Sequence, residues 1–173
     1  LVGTANRSII QYDTRSKEVI SSYDEHIGAV NTLTFLNEKK FASTSDDKKL
    51  FIWEVGVDSP FKRISDPTVQ SVTSIVKHPI EKSLIGQSID NRIIVYDHAN
   101  QYKINKKKTF SGHLSSGYTC GVDISPDGQF VVSGDSNGGI WFWDWRTTKN
   151  YRVVEGHDKV VSDVKWHPLK QSK

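Results

Sequence analysis

The sequence contains no methionine, not even at position 1, where an open reading frame begins with one. The 173 residues are therefore expected to be a piece of a longer chain. Cysteine is nearly as scarce. Cys120 stands alone, which excludes an internal disulfide and a multi-cysteine zinc site and fits a reducing compartment, cytosol or nucleus. No apolar run approaches the roughly 18 residues that a membrane helix needs. The opening stretch LVGTANRSII has no charged segment followed by an apolar core, so it does not read as a signal peptide. No long segment shows the 3.6-residue apolar period of an amphipathic helix. A large excess of one charge is absent too: the net charge is +3. It is unevenly spread, with 7 basic against 9 acidic side chains in residues 1–60 and 16 against 11 in residues 61–173. The basic bias of the later part is compatible with a nucleic-acid neighbour and does not demand one.

What is present is a repeat. Four segments end alike: IIQYD (9–13), LFIWE (50–54), IIVYD (93–97) and IWFWD (140–144). Their aromatics, Tyr12, Trp53, Tyr96 and Trp143, are 41, 43 and 47 residues apart. Six residues before each aromatic stands an acid or its amide: Asn6, Asp47, Asp90 and Asn137. A second coincidence at a fixed offset makes chance a poor account. A histidine opens three of the units, as Glu25-His26, Gly112-His113 and Gly156-His157. After it comes a period-2 pattern, clearest where Val160, Val164 and Trp166 fall on one face, which predicts a strand. Ser125-Pro126-Asp127-Gly128 is a tight-turn sequence, since proline presets φ and glycine permits φ > 0. His78-Pro79 and His167-Pro168 hold the same place in other units.

Units of about 43 residues, each with four short antiparallel strands, have the size of one propeller blade. With its Gly-His openings and Trp-Asp endings, the chain resembles the WD-repeat family over its whole length. The predicted fold is all-β: part of one WD-repeat β-propeller across residues 1–173. Its units end near 13, 54, 97 and 144, and a further one begins at 157. About four blades are present here; the resemblance implies seven in the complete domain.

His26, Ser43, Asp47 and Trp53 include a Ser/His/Asp set, and the same offsets return as His113, Ser133, Asn137 and Trp143. A nucleophile is needed once, in an accessible cleft with an oxyanion hole, and not once per blade. Asn137 also lacks the charge of a triad acid. The resemblance implies instead that these positions form a buried hydrogen-bonded tetrad tying the strands of a blade together. No enzymatic activity and no cofactor are expected. The six histidines do not pair at metal-ligand spacing with Cys120, so no metal site is expected.

Lys103, Lys106, Lys107 and Lys108 occupy a stretch without an acid between Gln101 and Phe110. They read either as a solvated loop between blades or as a contact for RNA phosphates or an acidic protein face. Tyr102 beside them is a candidate for stacking on a base, although a lone tyrosine more often packs within the fold. In Trp143-Asp144-Trp145-Arg146, the spacing resembles the motif by which some WD-repeat proteins join cullin-RING ubiquitin ligases. It makes Arg146 a candidate adaptor contact and a ligase substrate receptor the alternative function.

The segments outside the repeat motif are similar to those of second-step splicing factors. They include Ala29-Val30-Asn31-Thr32, Asn105-Lys106-Lys107-Lys108, Gly117-Tyr118-Thr119-Cys120 and Thr147-Thr148-Lys149. That resemblance implies a nuclear, non-enzymatic scaffold of the spliceosome that favours exon ligation. Its partners would be spliceosomal proteins in a large ribonucleoprotein complex, with contact to small nuclear RNA or pre-mRNA. Neither a membrane nor a small-molecule substrate is implied.

Overall fold

Short apolar runs closed by turn residues form ladders, and here they do so throughout. The computed structural model describes residues 1–168, and among these the regular structure is all strand. The chain divides into two compact units, Leu1–Val72 and Thr73–Lys173.

The first unit contains two antiparallel sheets. One takes β1 (Val2–Gly3), β2 (Ile9–Tyr12) and β3 (Val19–Tyr23); the other takes β4 (Val30–Asn37), β5 (Lys40–Ser45), β6 (Lys49–Glu54) and β7 (Lys62–Ser65). Each is a meander in sequence order. β5 and β6 are buried along nearly their whole length, while β7 alternates between half-buried and exposed. Strands covered on both faces read as continuous apolar or small runs, which is why LFIWE stands out in the sequence and β7 does not. The core is Ile9, Tyr23, Val30, Phe41, Phe51 and Trp53. Tyr23 joins the two sheets: its ring meets Phe41 at 5.2 Å and Trp53 at 5.4 Å, both edge-on. Its hydroxyl donates to Gln11 Oε1 at 2.7 Å and accepts the Gly56 amide at 2.9 Å.

The second unit repeats the plan. β8 (Val72–Lys77, its first residue closing the first unit), β9 (Ser83–Ser88), β10 (Arg92–Asp97) and β11 (Lys103–Ser111) form one sheet. β12 (Val122–Ile124), β13 (Phe130–Gly134), β14 (Gly139–Asp144) and β15 (Asn150–Glu155) form the next. Ile85, Ile93, Val95, Phe110, Val122, Val131, Trp143 and Trp145 make the core. The tight turn at 125–128 forms as predicted, with the Gly128 amide donating to the Ser125 carbonyl at 2.8 Å. Gly138, at φ +92°, fills the turn between β13 and β14, where a Cβ would strike the His157 carbonyl.

Three features differ from the sequence expectation. First, the sheets do not close on the aromatic–acid endings near 13, 54, 97 and 144. Each runs one strand further, to Tyr23, Ser65, Ser111 and Glu155. This last strand is a mostly exposed edge, held largely by ladder hydrogen bonds, so it carries little apolar signature. Second, the lysine-rich stretch is not a loop but edge strand β11. Its register breaks so that Asn105–Lys108 stand opposite Val95 alone, a wide bulge. Third, Val160–Trp166 joins no ladder, since among the described residues no later strand pairs with it. The segment is fastened instead through Val161 N to the Asp135 carbonyl at 2.9 Å and Gly121 N to the Ser162 carbonyl at 2.9 Å.

Candidate functional site

In the first unit the four sequence-predicted residues meet. His26 lies between β3 and β4, Ser43 on β5, Asp47 in the β5–β6 turn and Trp53 on β6. His26 Nδ1 is 2.8 Å from Asp47 Oδ2, His26 Nε2 is 2.7 Å from Ser43 Oγ, and Trp53 Nε1 donates to Ser43 Oγ at 2.7 Å. Donor direction fixes the tautomer. The serine accepts from the indole and must donate to Nε2, so the imidazole carries its proton on Nδ1 and gives it to the carboxylate. Asp47 also accepts the amides of Ile27 at 3.2 Å and Lys49 at 3.0 Å. Burial holds the His26 imidazole below its ordinary pKa, and the Asp47 carboxylate only partly opposes this. The ring stacks on Phe51 at 4.1 Å. Ser43 is 0% exposed, and its hydroxyl both donates to His26 and accepts from Trp53. A Ser/His/Asp set sealed in this way has no room for a reacting carbonyl.

In the second unit the predicted set does not assemble. His113 Nε2 donates to Gln87 Oε1 at 2.9 Å, and Ser133 Oγ donates to the same oxygen at 3.2 Å. Trp143 Nε1 donates to the Ser111 carbonyl at 3.1 Å and not to Ser133. Asn137 is exposed in the β13–β14 turn, and no hydrogen bond joins its side chain to His113. The acidic role has moved two residues back. Asp135 accepts Trp141 Nε1 at 2.7 Å and the amides of Asn137 and Gly139, each at 2.8 Å. The predicted tetrad is thus corrected: Asn137 is outside it, and Gln87 and Asp135 are the polar residues that sequence reasoning missed. Gln87 could have been suspected as an amide inside the otherwise small or apolar run SLIGQS of β9. With no acid on Nδ1, that atom is buried without a partner, and burial pushes the His113 pKa down to about 4.

The other acid at the fixed offset, Asp90, bonds to Arg92. Burial opposes its ionisation, but the hydrogen-bonded Arg92 guanidinium keeps its carboxyl below the usual range. Among the described residues no three His, Cys, Asp or Glu are grouped to hold a metal ion. Burial pushes the Cys120 thiol up to about 11, so it is not a thiolate near neutral pH.

The lysines divide. Lys103, Lys106 and Lys107 are exposed on β11, the last two on the bulge. Lys108 turns inward instead, its ammonium 3.7 Å from the Trp145 ring centre. Tyr102 is 7% exposed and packs on His98 at 4.7 Å, so its ring is not offered for stacking on a base. Arg146 is exposed in the β14–β15 turn. Asp144 beside it caps that turn through the amide and hydroxyl of Thr147, both at 2.7 Å.

Comparison with known proteins bears on this architecture directly. The family described as "WD domain, G-beta repeat" matches residues 17–54 and 104–144. The chain belongs to the WD-repeat family. Four antiparallel sheets of three or four strands carrying these repeats are a partial WD-repeat β-propeller. This WD-repeat chain is 45% identical over 174 residues to pre-mRNA-processing factor 17 of Homo sapiens, covering 100% of the chain and 30% of that protein. It is 36% identical over 179 residues to pre-mRNA-processing factor 17 of Saccharomyces cerevisiae, covering 100% of the chain and 39% of that protein. To WD repeat-containing protein 25 of Mus musculus it is 23% identical over 177 residues, covering 98% of the chain and 33% of that protein. The chain therefore spans about a third of the length of these relatives.

Proposed function

We propose that the protein is a nuclear splicing factor, and that this chain is a non-enzymatic scaffold within the spliceosome supporting exon ligation. The observation that carries the reading is the 45% identity across the full chain, which extends well beyond the two repeat matches. WD-repeat architecture alone does not give function, because many unrelated proteins share it. The geometry supports the non-enzymatic part. The only Ser/His/Asp set brought together among the described residues is sealed in the core of the first unit. The mechanism is placement: rigid sheets hold surfaces for spliceosomal proteins. Lys103, Lys106 and Lys107 on edge strand β11 supply a phosphate-facing edge for small nuclear RNA or pre-mRNA.

Depletion of the full-length protein from a splicing extract should leave first-step products accumulating, and add-back should restore ligated exons. Unaffected exon ligation in the depleted extract would overturn the reading. A Lys106→Glu, Lys107→Glu protein should restore ligation less well. It should also lower the salt dependence of RNA binding by about one unit of slope per lysine.

A further inference from the structure

The chain contains two Ser-Pro dipeptides, Ser59-Pro60 and Ser125-Pro126, and the fold treats them in opposite ways. Ser125 is fully buried. Its hydroxyl donates to Asp127 Oδ1 at 2.5 Å and accepts the amides of Gln129 at 3.2 Å and Phe130 at 2.9 Å. Ser59 is exposed, in the irregular stretch between β6 and β7, with Val57, Asp58 and Phe61 exposed around it. Pro60 fixes its own φ and keeps Ser59 out of the helical region, and the backbone bends at Asp58, Ser59 and Phe61. It runs on into β7, the outermost strand of its sheet. Lys62, three residues after Ser59, is the first residue of that strand, and Arg63 follows.

An accessible serine in an exposed loop, a proline directly after it and a lysine at the third position match what a proline-directed kinase cleft accepts. The tertiary amide of Ser-Pro leaves no N–H to satisfy in the cleft, and the lysine offers a charge-assisted contact. We propose that Ser59 is a phosphorylation site for a proline-directed serine/threonine kinase. In the transfer, Ser59 Oγ bonds to the γ-phosphorus of ATP as the bond from that phosphorus to the β–γ bridging oxygen breaks. ADP leaves, and the hydroxyl proton passes to the kinase's catalytic carboxylate.

The local consequence follows from charge. Ser59 shares a surface depression with Ser22, Asp24, Glu25 and Asp58. A phosphate of about −1.5 to −2 charge is added beside three carboxylates. Arg63 donates to Glu25 Oε2 at 2.7 Å in a half-exposed pair. A phosphate is a stronger, bidentate acceptor for a guanidinium, so the modification draws Arg63 away from Glu25 and leaves a more anionic patch.

The test uses the full-length protein, native and urea-denatured, with a cyclin-dependent kinase and ATP, and maps phosphosites by mass spectrometry. The native protein should be modified at Ser59 and not at Ser125. Lys62→Ala should slow the Ser59 reaction about tenfold, the size of one charge-assisted contact. Ser59→Ala should abolish it with the circular dichroism spectrum unchanged. Absence of phosphate at Ser59 in the native protein, or equal labelling of Ser125, overturns the proposal.

Discussion

The two histidine networks start from the same sequence pattern and reach different solutions. In the first unit a carboxylate, an imidazole, a hydroxyl and an indole form one directed chain in which the donors and acceptors match. In the second unit the histidine turns to the Gln87 amide, the tryptophan to a backbone carbonyl, and the asparagine that stands in the acid's place to solvent. The difference teaches that the tetrad needs its charge. A carboxylate at position 47 accepts from His26 and two amides at once, whereas Asn137 brings no charge and leaves His113 Nδ1 unpaired.

Breaking the better network should cost most. Asp47→Ala strands the His26 N–H and two backbone amides, and should lower unfolding free energy by about 3 kcal/mol in urea titrations. A loss below about 1 kcal/mol would show that the network adds little.

The next largest effect is pH. The folded-state pKa of His113 is depressed to about 4, below the ordinary 6.5. The unfolded chain therefore binds more protons between those values. This contribution is complete above pH 6.5 and is lost as pH falls toward 4, by about 2 kcal/mol between pH 7 and pH 5. His26, also depressed by burial, acts in the same direction. Urea midpoints at both pH values should show the loss, and His113→Gln should reduce it.

Gln87→Ala removes the oxygen shared by His113 and Ser133. It should cost about 1 to 2 kcal/mol, less than Asp47→Ala, because no charge is lost and Ser133 keeps the Gly134 carbonyl at 3.0 Å. Smallest of all, Asn137→Ala and Asn137→Asp should each change stability by under about 0.5 kcal/mol, as for any exposed turn residue. A gain above about 1 kcal/mol for Asn137→Asp would mean that an acid at 137 reaches His113 after all.

Much of the fold was legible because apolar period and turn chemistry are local. The next-to-last strand of every sheet showed itself through its aromatic and the acid after it, and the turn at 125–128 through proline and glycine. The last strands were hidden, since an edge strand is held by backbone bonds that any composition can make. The first network was legible residue by residue. The second was not, because Gln87 lies on a different sheet from Ser133, and no spacing rule joins them. The packing of Tyr102 and Lys108 was not legible for a related reason. Their burial comes from His98 and Trp145, which only packing brings near.

The sequence by itself determined the repeat, the all-β class and the family, because these rest on periodicities within about 43 residues. Tertiary structure alone decided which polar groups meet, where the lysines point, and which of two Ser-Pro serines is exposed. Hydrogen bonds and burial are set by distances between strands that are far apart in the chain, and local spacing does not encode them.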